Sequence, residues 1–250
     1  MVQDLERGVA VVTGAGRRIG RVLALTAARL GFDVAVHHRD SQADALAVAD
    51  EIRTLGRRAK TFCADLADTD QLAGLIPAVA GKLGPATLLV NSASLFLEDS
   101  VGAITQVQYD AHQAVNLRAP VLLAQAFASQ LPTGRAGLIV NIIDQRVLNP
   151  DPRFFSYALS KAGLWWATRT LAQALAPKVR VNAIGPGPTL RSIHQTPEAF
   201  AEEARSALLG RPVSTDEIGA ALAYLIDAPS VTGQMIVVDS GQHLSWNDRS

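Results

Sequence analysis

The sequence predicts an α/β fold, a doubly wound parallel sheet of about seven strands flanked by helices, in one domain over 1–250. Three observations carry this expectation. Strand-like and helix-like stretches alternate along the whole chain, the pattern of parallel strands joined by crossover helices. The strand-like runs are apolar throughout instead of alternating, as in strands buried on both faces. The first of them runs into glycines and then a helix, a turn suited to a diphosphate.

Residues 9–13 form the first β-rich run, stopped by Gly14 and Gly16, and 19–30 then shows helical spacing. A second strand at 34–37 precedes an alanine-rich helix at 41–55. The third pair is a strand at 58–64 and a helix at 70–83, and the fourth is 87–90 with a long helix at 106–130. The fifth strand, 137–143, leads to another long helix at 155–175. After a sixth strand at 179–184, the more polar segment 188–209 holds a short helix or two, with Thr196-Pro197-Glu198 reading as a helix start. A helix at 216–226 and a last strand at 235–238 complete a Rossmann-like order.

Composition narrows the function classes. Hydrophobic residues make up 48% of the 250 and charged residues 18%, enough apolar material for a covered sheet. Lys plus Arg and Asp plus Glu are both 23, so nothing points to nucleic acid or an anionic membrane. The single cysteine, Cys63, leaves no intrachain disulfide and no thiolate cluster for a metal, and its strand-like setting reads as core. His112, His194 and His243 lack metal-like spacing and read as ordinary polar residues. Residues 1–7 lack the apolar stretch of a signal peptide and no apolar run is bilayer-length, so a soluble, cytoplasmic protein is expected.

Tyr157 and Lys161 carry the clearest chemistry. Residues four apart share a helix face, so phenol and ammonium can enter one cavity. A fixed cation favours the phenolate and moves the group toward working pH, which suits proton exchange with a carbonyl or imine. The turn Thr13-Gly14-Ala15-Gly16-Arg17-Arg18-Ile19-Gly20 would hold a dinucleotide diphosphate against a helix N-terminus.

That turn resembles the T-G-x-x-x-G-x-G segment of the short-chain dehydrogenase/reductase family, with Arg18 in place of the middle glycine. The resemblance covers nearly the whole chain. It implies a cofactor-binding role for Gly14, Gly16, Arg17, Arg18 and Ile19, and an adenine contact at Asp65-Leu66. Asn91-Ser92-Ala93-Ser94 is similar to the family's N-N-A-G segment, and Gly185-Pro186-Gly187 to its turn beside the nicotinamide. Asn116 stands where the family has an asparagine that helps order the active-site lysine, and Tyr157 and Lys161 match the catalytic pair. The resemblance further implies that 188–210 is a substrate lid and that the protein is a homotetramer. Adjacent Trp165 and Trp166 agree with an interface, since both indoles cannot face the sheet.

The end of the second strand bears on the cofactor. Where an acid would hold the adenosine ribose, the chain has His38 followed by Arg39, which favours a 2′-phosphate and hence NADPH, with Arg17 as a possible second partner. Asp40 is the counterweight.

Departures from the family bear on the substrate. Asp144 replaces the usual serine after the fifth strand, offering a proton or a carboxylate to grip an amino-pyrimidine edge; its plainer reading is a cap on that turn. Ser94 replaces a glycine and Phe96 follows, where a ring could sandwich a flat substrate or simply pack beneath the lid. Together Arg18, Ser94, Phe96, Asp144 and Tyr157/Lys161 resemble the pteridine reductase and dihydromonapterin reductase branch. The implied activity is NADPH-dependent reduction of a pterin-like C=N bond, with Tyr157 as proton donor aided by Lys161 and Asp144. The alternatives are a carbonyl or 3-oxoacyl reductase of the same family, and a non-catalytic NADPH-binding regulator.

Overall fold

A computed structural model describes residues 5–191 and 195–245. The readings made on 1–4 and on 192–194, His194 among them, fall outside the described residues. Seven strands, β1 (Val9–Val12), β2 (Asp33–His38), β3 (Ala59–Cys63), β4 (Ala86–Asn91), β5 (Gly137–Ile142), β6 (Val179–Pro186) and β7 (Met235–Val238), form one sheet in the order β3-β2-β1-β4-β5-β6-β7. Every neighbouring pair is parallel, so the predicted α/β architecture is the observed one. The order reverses between β1 and β4, which opens a crevice at the carboxyl ends of those strands.

Helices α1 (Arg18–Arg29), α2 (Gln42–Thr54), α3 (Thr69–Leu83), α5 (Ala119–Gln130), α6 (Phe155–Leu175) and α8 (Thr215–Asp227) pack on the sheet, while α4 (Gln106–Gln113) lies against α6 and α7 (Pro197–Ser206) borders the crevice. Along β1, Ala10 and Val12 join a core with α1, α2 and α8, while Val9 and Val11 join a second core with α3 and α5. Burial on both faces is why the strand carries no polar alternation. Leu88 and Leu89, adjacent on β4 and fully buried on opposite sides, each contribute about 2 kcal/mol of transfer free energy.

Two local expectations change, at 106–130 and at Cys63, and that for 188–209 is met. The helix read at 106–130 is interrupted by a π-helical segment, Ala114–Arg118, centred on Asn116. The segment 188–209 holds one described helix, α7, started by Thr196, whose hydroxyl accepts the Ala199 N–H. Cys63 is exposed, not core: it ends the sheet's edge strand, and its thiol donates to the Arg39 carbonyl at 3.3 Å.

Candidate active site

The crevice deepens into a cavity of about 1440 Å³, larger than the roughly 300–1,000 Å³ of a single-ligand pocket. It has room for a dinucleotide with a second molecule at its inner end.

The outer half is shaped by backbone. Thr13 Oγ1 accepts the N–H groups of Ser92 and Ala93 at 2.9 and 3.0 Å, tying the end of β1 to that of β4. Gly14 has φ +63, and a Cβ there would lie 2.9 Å from Ala93 Cα; at Gly20 it would meet the Gly14 carbonyl oxygen at 2.1 Å. Only glycine permits both the left-handed turn and the close seating of α1. The Gly14 N–H donates to His37 Nδ1 at 3.1 Å, and His37 Nε2 bonds the Ala64 carbonyl at 3.0 Å. Those partners fix the neutral Nε2–H tautomer, and burial lowers the His37 pKa to about 4.

Of the residues read as cofactor-binding, Gly14, Arg17, Arg18, Ile19, Arg39, Asp65, Leu66, Ala93, Ser94, Tyr157, Lys161, Pro186 and Gly187 line the cavity. Gly16, His38 and Asn91 do not. Gly16 is buried, with Ser41 Oγ where its side chain would be. His38 is buried with Nδ1 on the Arg39 carbonyl. Asn91 is turned into the sheet, where its amide donates to Asn141 Oδ1 at 2.8 Å. The two outer guanidiniums each hold a carboxylate: Arg39 Nε bonds Asp40 at 2.6 Å and Arg17 Nε bonds Asp44 at 2.6 Å. Such exposed pairs are worth about 0–1 kcal/mol, so both arginines can be redirected to a phosphate.

At the inner end, α6 brings Tyr157 and Lys161 to one wall. The Tyr157 hydroxyl donates to Asp144 Oδ2 at 2.8 Å, and the Lys161 ammonium donates to the Ile142 carbonyl at 2.9 Å. Lys161 Nζ lies 5.7 Å from the centroid of the Tyr157 ring. Burial, reinforced by the Asp144 carboxylate, raises the phenol pKa well above its ordinary value. Burial lowers that of Lys161 to about 8, with Asp144 opposing. The sequence argument expected the cation to favour phenolate; here burial and the adjacent acid outweigh it, and Tyr157 is kept as a proton donor. Asp144 also takes the plainer of its expected parts: Oδ1 caps the next turn by accepting the Arg146 N–H at 2.9 Å.

Phe96 also faces the cavity, stacked on Phe154 with centroids 4.2 Å apart and edge-on to Tyr157 at 4.7 Å. Its loop is fixed by two side chains four apart, the spacing that flagged Tyr157 and Lys161. Asn116 accepts the Leu95 N–H at 2.8 Å, returns its amide to the Leu95 carbonyl at 2.9 Å, and donates to Ser160 Oγ at 3.0 Å. It thus holds the Phe96 loop and the lysine's neighbour, while Lys161 itself is anchored by Ile142. His112, read as an ordinary polar residue, is fully buried; Nε2 accepts the Leu97 N–H and Nδ1 meets Ser156 Oγ at 2.6 Å. Ser156 Oγ in turn donates to Asp99 Oδ2.

Arg18 has partners that the sequence did not indicate. It takes φ +53 where the family motif has glycine, and its guanidinium donates to the Leu190 and Arg191 carbonyls at 2.9 and 2.8 Å. From the cavity wall it clasps the segment after β6. Sequence reasoning also missed Phe154, Arg146 and Glu203, which line the inner cavity. Glu203 on α7 accepts from Gln195 at 2.6 Å and Gln242 at 3.1 Å. Only the helical spacing of Ala199, Glu203 and Ser206 hinted at a face of α7 turned to the site.

A dinucleotide-sized crevice that gathers a phenol, an amine and a carboxyl at its inner end defines an α/β oxidoreductase. Comparison with known proteins places it more narrowly. A family model described as enoyl-(acyl carrier protein) reductase matches residues 14–243. A short-chain dehydrogenase/reductase of Armillaria gallica is 31% identical, over 93% of this chain and 95% of its own. The 3-oxoacyl-(acyl-carrier-protein) reductase FabG of Staphylococcus aureus is 29% identical over 94% of this chain and 98% of its own. Among solved structures, the FolM alternative dihydrofolate reductase 1 from Brucella canis, complexed with NADP, is 46% identical with a TM-score of 0.95 over 98% of both chains. The chain belongs to the short-chain dehydrogenase/reductase family and is an oxidoreductase, which removes the binding-only regulator from contention.

Proposed function

We propose that the protein is an NADPH-dependent reductase of a planar, pterin-like C=N substrate. The observation that carries this is the Tyr157–Asp144 hydrogen bond beside Phe96, an acid in the serine's place next to an aromatic wall. The Brucella structures, named alternative dihydrofolate reductases and bound to NADP, support the same reading.

The cofactor fits the residues present. A Cβ at Gly14 or Gly20 would strike Ala93 or the Gly14 carbonyl and distort the turn that seats the α1 N-terminus, and Arg39 and Arg17 stand on the cavity wall as donors for a 2′-phosphate. When bound, NADPH supplies the hydride. Tyr157 holds the proton for the substrate nitrogen, Asp144 orients the hydroxyl, and Lys161 brings positive charge near the phenol as it ionises. Residues 188–210 serve as the lid of a single catalytic domain. The exposed Trp166 is consistent with a homotetramer, here taken as cytoplasmic. Among the described residues no cluster could hold a metal and no helix could cross a membrane.

The second reading, a carbonyl or 3-oxoacyl reductase, is favoured by the FabG relatives and the matching family model. A substrate panel separates the two. NADPH oxidation is expected with dihydropterins and dihydrofolate and to be weak with ketones and 3-oxoacyl thioesters. Turnover of the latter alone would sink the pterin reading.

A further inference from the structure

Arg146 sits on the short 3₁₀ turn Gln145–Val147 just after Asp144 and lines the inner cavity, with 18% of its side chain exposed. For so buried a guanidinium it is poorly served. Among the described residues its side chain makes one long hydrogen bond, Nη1 to Asp144 Oδ2 at 3.5 Å, and approaches Glu203 Oε1 at 4.0 Å. Charge-assisted bonds of full strength run about 2.7–2.9 Å.

The aromatic rings do not make up the difference. The guanidinium carbon is 5.8 Å from the Phe96 centroid and 5.6 Å from that of Phe154, and these rings are stacked 4.2 Å apart. A cation over the outer face of one ring would be much farther from the other. Near-equal distances put Arg146 at the rim of the stack, where ring edges are positive and give no cation–π attraction. The two neighbouring carboxylates are engaged elsewhere: Asp144 takes the Tyr157 hydroxyl and the Arg146 N–H, and Glu203 takes Gln195 and Gln242. Of five N–H donors in a fixed fork, most remain for a ligand.

The surrounding charge says which ligand group. Arg146 already faces two carboxylates, so an added anion would be repelled by Asp144 and Glu203, whereas a neutral acceptor would not. We infer that Arg146 is a specificity-determining residue that donates to a ring carbonyl of the substrate, next to the edge that meets Asp144. Acceptor and donor side by side match a heterocycle with adjacent N–H and C=O groups, such as a 2-amino-4-oxo-pyrimidine edge. This rests on the pterin-like reading and specifies the substrate edge it requires.

The test pairs a deletion in the ligand with one in the protein. Binding of a 2-amino-4-oxo-pteridine and of 2-aminopteridine, which lacks the oxygen, is measured by titration of the NADP-loaded enzyme. Wild type is expected to prefer the oxo compound by about 10- to 100-fold, the worth of one charge-assisted bond. Arg146→Met is expected to bring the ratio within about threefold while NADP affinity is kept. If that variant fails to fold or bind NADP, Arg146→Lys decides, with the ratio expected to fall severalfold as a fork becomes a point charge. A wild-type ratio in the deciding variant, or no preference in wild type, overturns the inference and leaves the pterin reading standing. Binding of neither pteridine by wild type overturns both.

Discussion

The two halves of the cavity are built from different materials. In the outer half the chain shapes the site with main chain: the Thr13 bridge to β4, the Gly14 turn, and Gly20 pressed against it. In the inner half side chains from widely separated segments do the work, with Phe96 on Phe154, Tyr157 on Asp144, and Glu203 reaching in from α7. The outer half is a mount for a dinucleotide, whereas the inner half presents the side chains that a second molecule would meet. Changes in one should therefore leave the other nearly untouched, and that separation can be attacked directly.

Tyr157→Phe should give the largest separation. With the proton donor gone, kcat is expected to fall about 10²- to 10⁴-fold while the Kd for NADPH, followed by fluorescence, stays within about threefold. An equal loss of cofactor affinity would mean the halves are not independent.

His37 tests the outer half through pH. Its folded pKa of about 4 lies below the ordinary 6.5, so below pH 6.5 the unfolded chain takes up a proton that the folded one refuses. Stability is expected to be complete above pH 6.5 and to fall toward pH 4 by about 3 kcal/mol. Urea unfolding of wild type and His37→Gln across that window should differ by about one proton in slope; parallel curves would refute the assignment.

Arg39→Ala is expected to weaken NADPH binding about 10- to 100-fold and NADH binding hardly at all, measured as Kd for each. Equal losses would assign Arg39 no part in the 2′-phosphate. The smallest effect belongs to Lys161, whose pKa of about 8 places loss of its charge on the alkaline side. The pH profile of kcat/KM is expected to be level below pH 8 and to fall about tenfold per unit above it. A profile flat to pH 10 would show that the ammonium is not needed.

How much was legible in the sequence follows the same division. Backbone demands leave a mark on residue type, so the glycine turn, the buried strands and the Tyr157/Lys161 spacing could all be read. Direction was harder: Gly16 and Asn91 are in the right neighbourhood but off the cavity wall, against Ser41 and Asn141, partners set by tertiary packing, while the buried His38 bonds the carbonyl of the next residue. Arg18 bonds carbonyls more than 170 positions away in the chain. Phe154, Arg146 and Glu203 meet only after folding, and no local pattern announces them.

The link Asp99–Ser156–His112 has one more effect. Asp99 Oδ1 accepts the Ser156 N–H at 3.1 Å and its carbonyl accepts the Phe154 N–H at 2.9 Å, and Phe154 is held at φ 56. The start of α6 and the loop before α4 are thereby joined by the chain's own hydrogen bonds. Freedom that Phe96, Phe154 and Tyr157 would otherwise surrender on meeting a flat guest has already been given up on folding, at about 0.5–1.5 kcal/mol per side chain. Weak but selective contacts can then decide which guest stays.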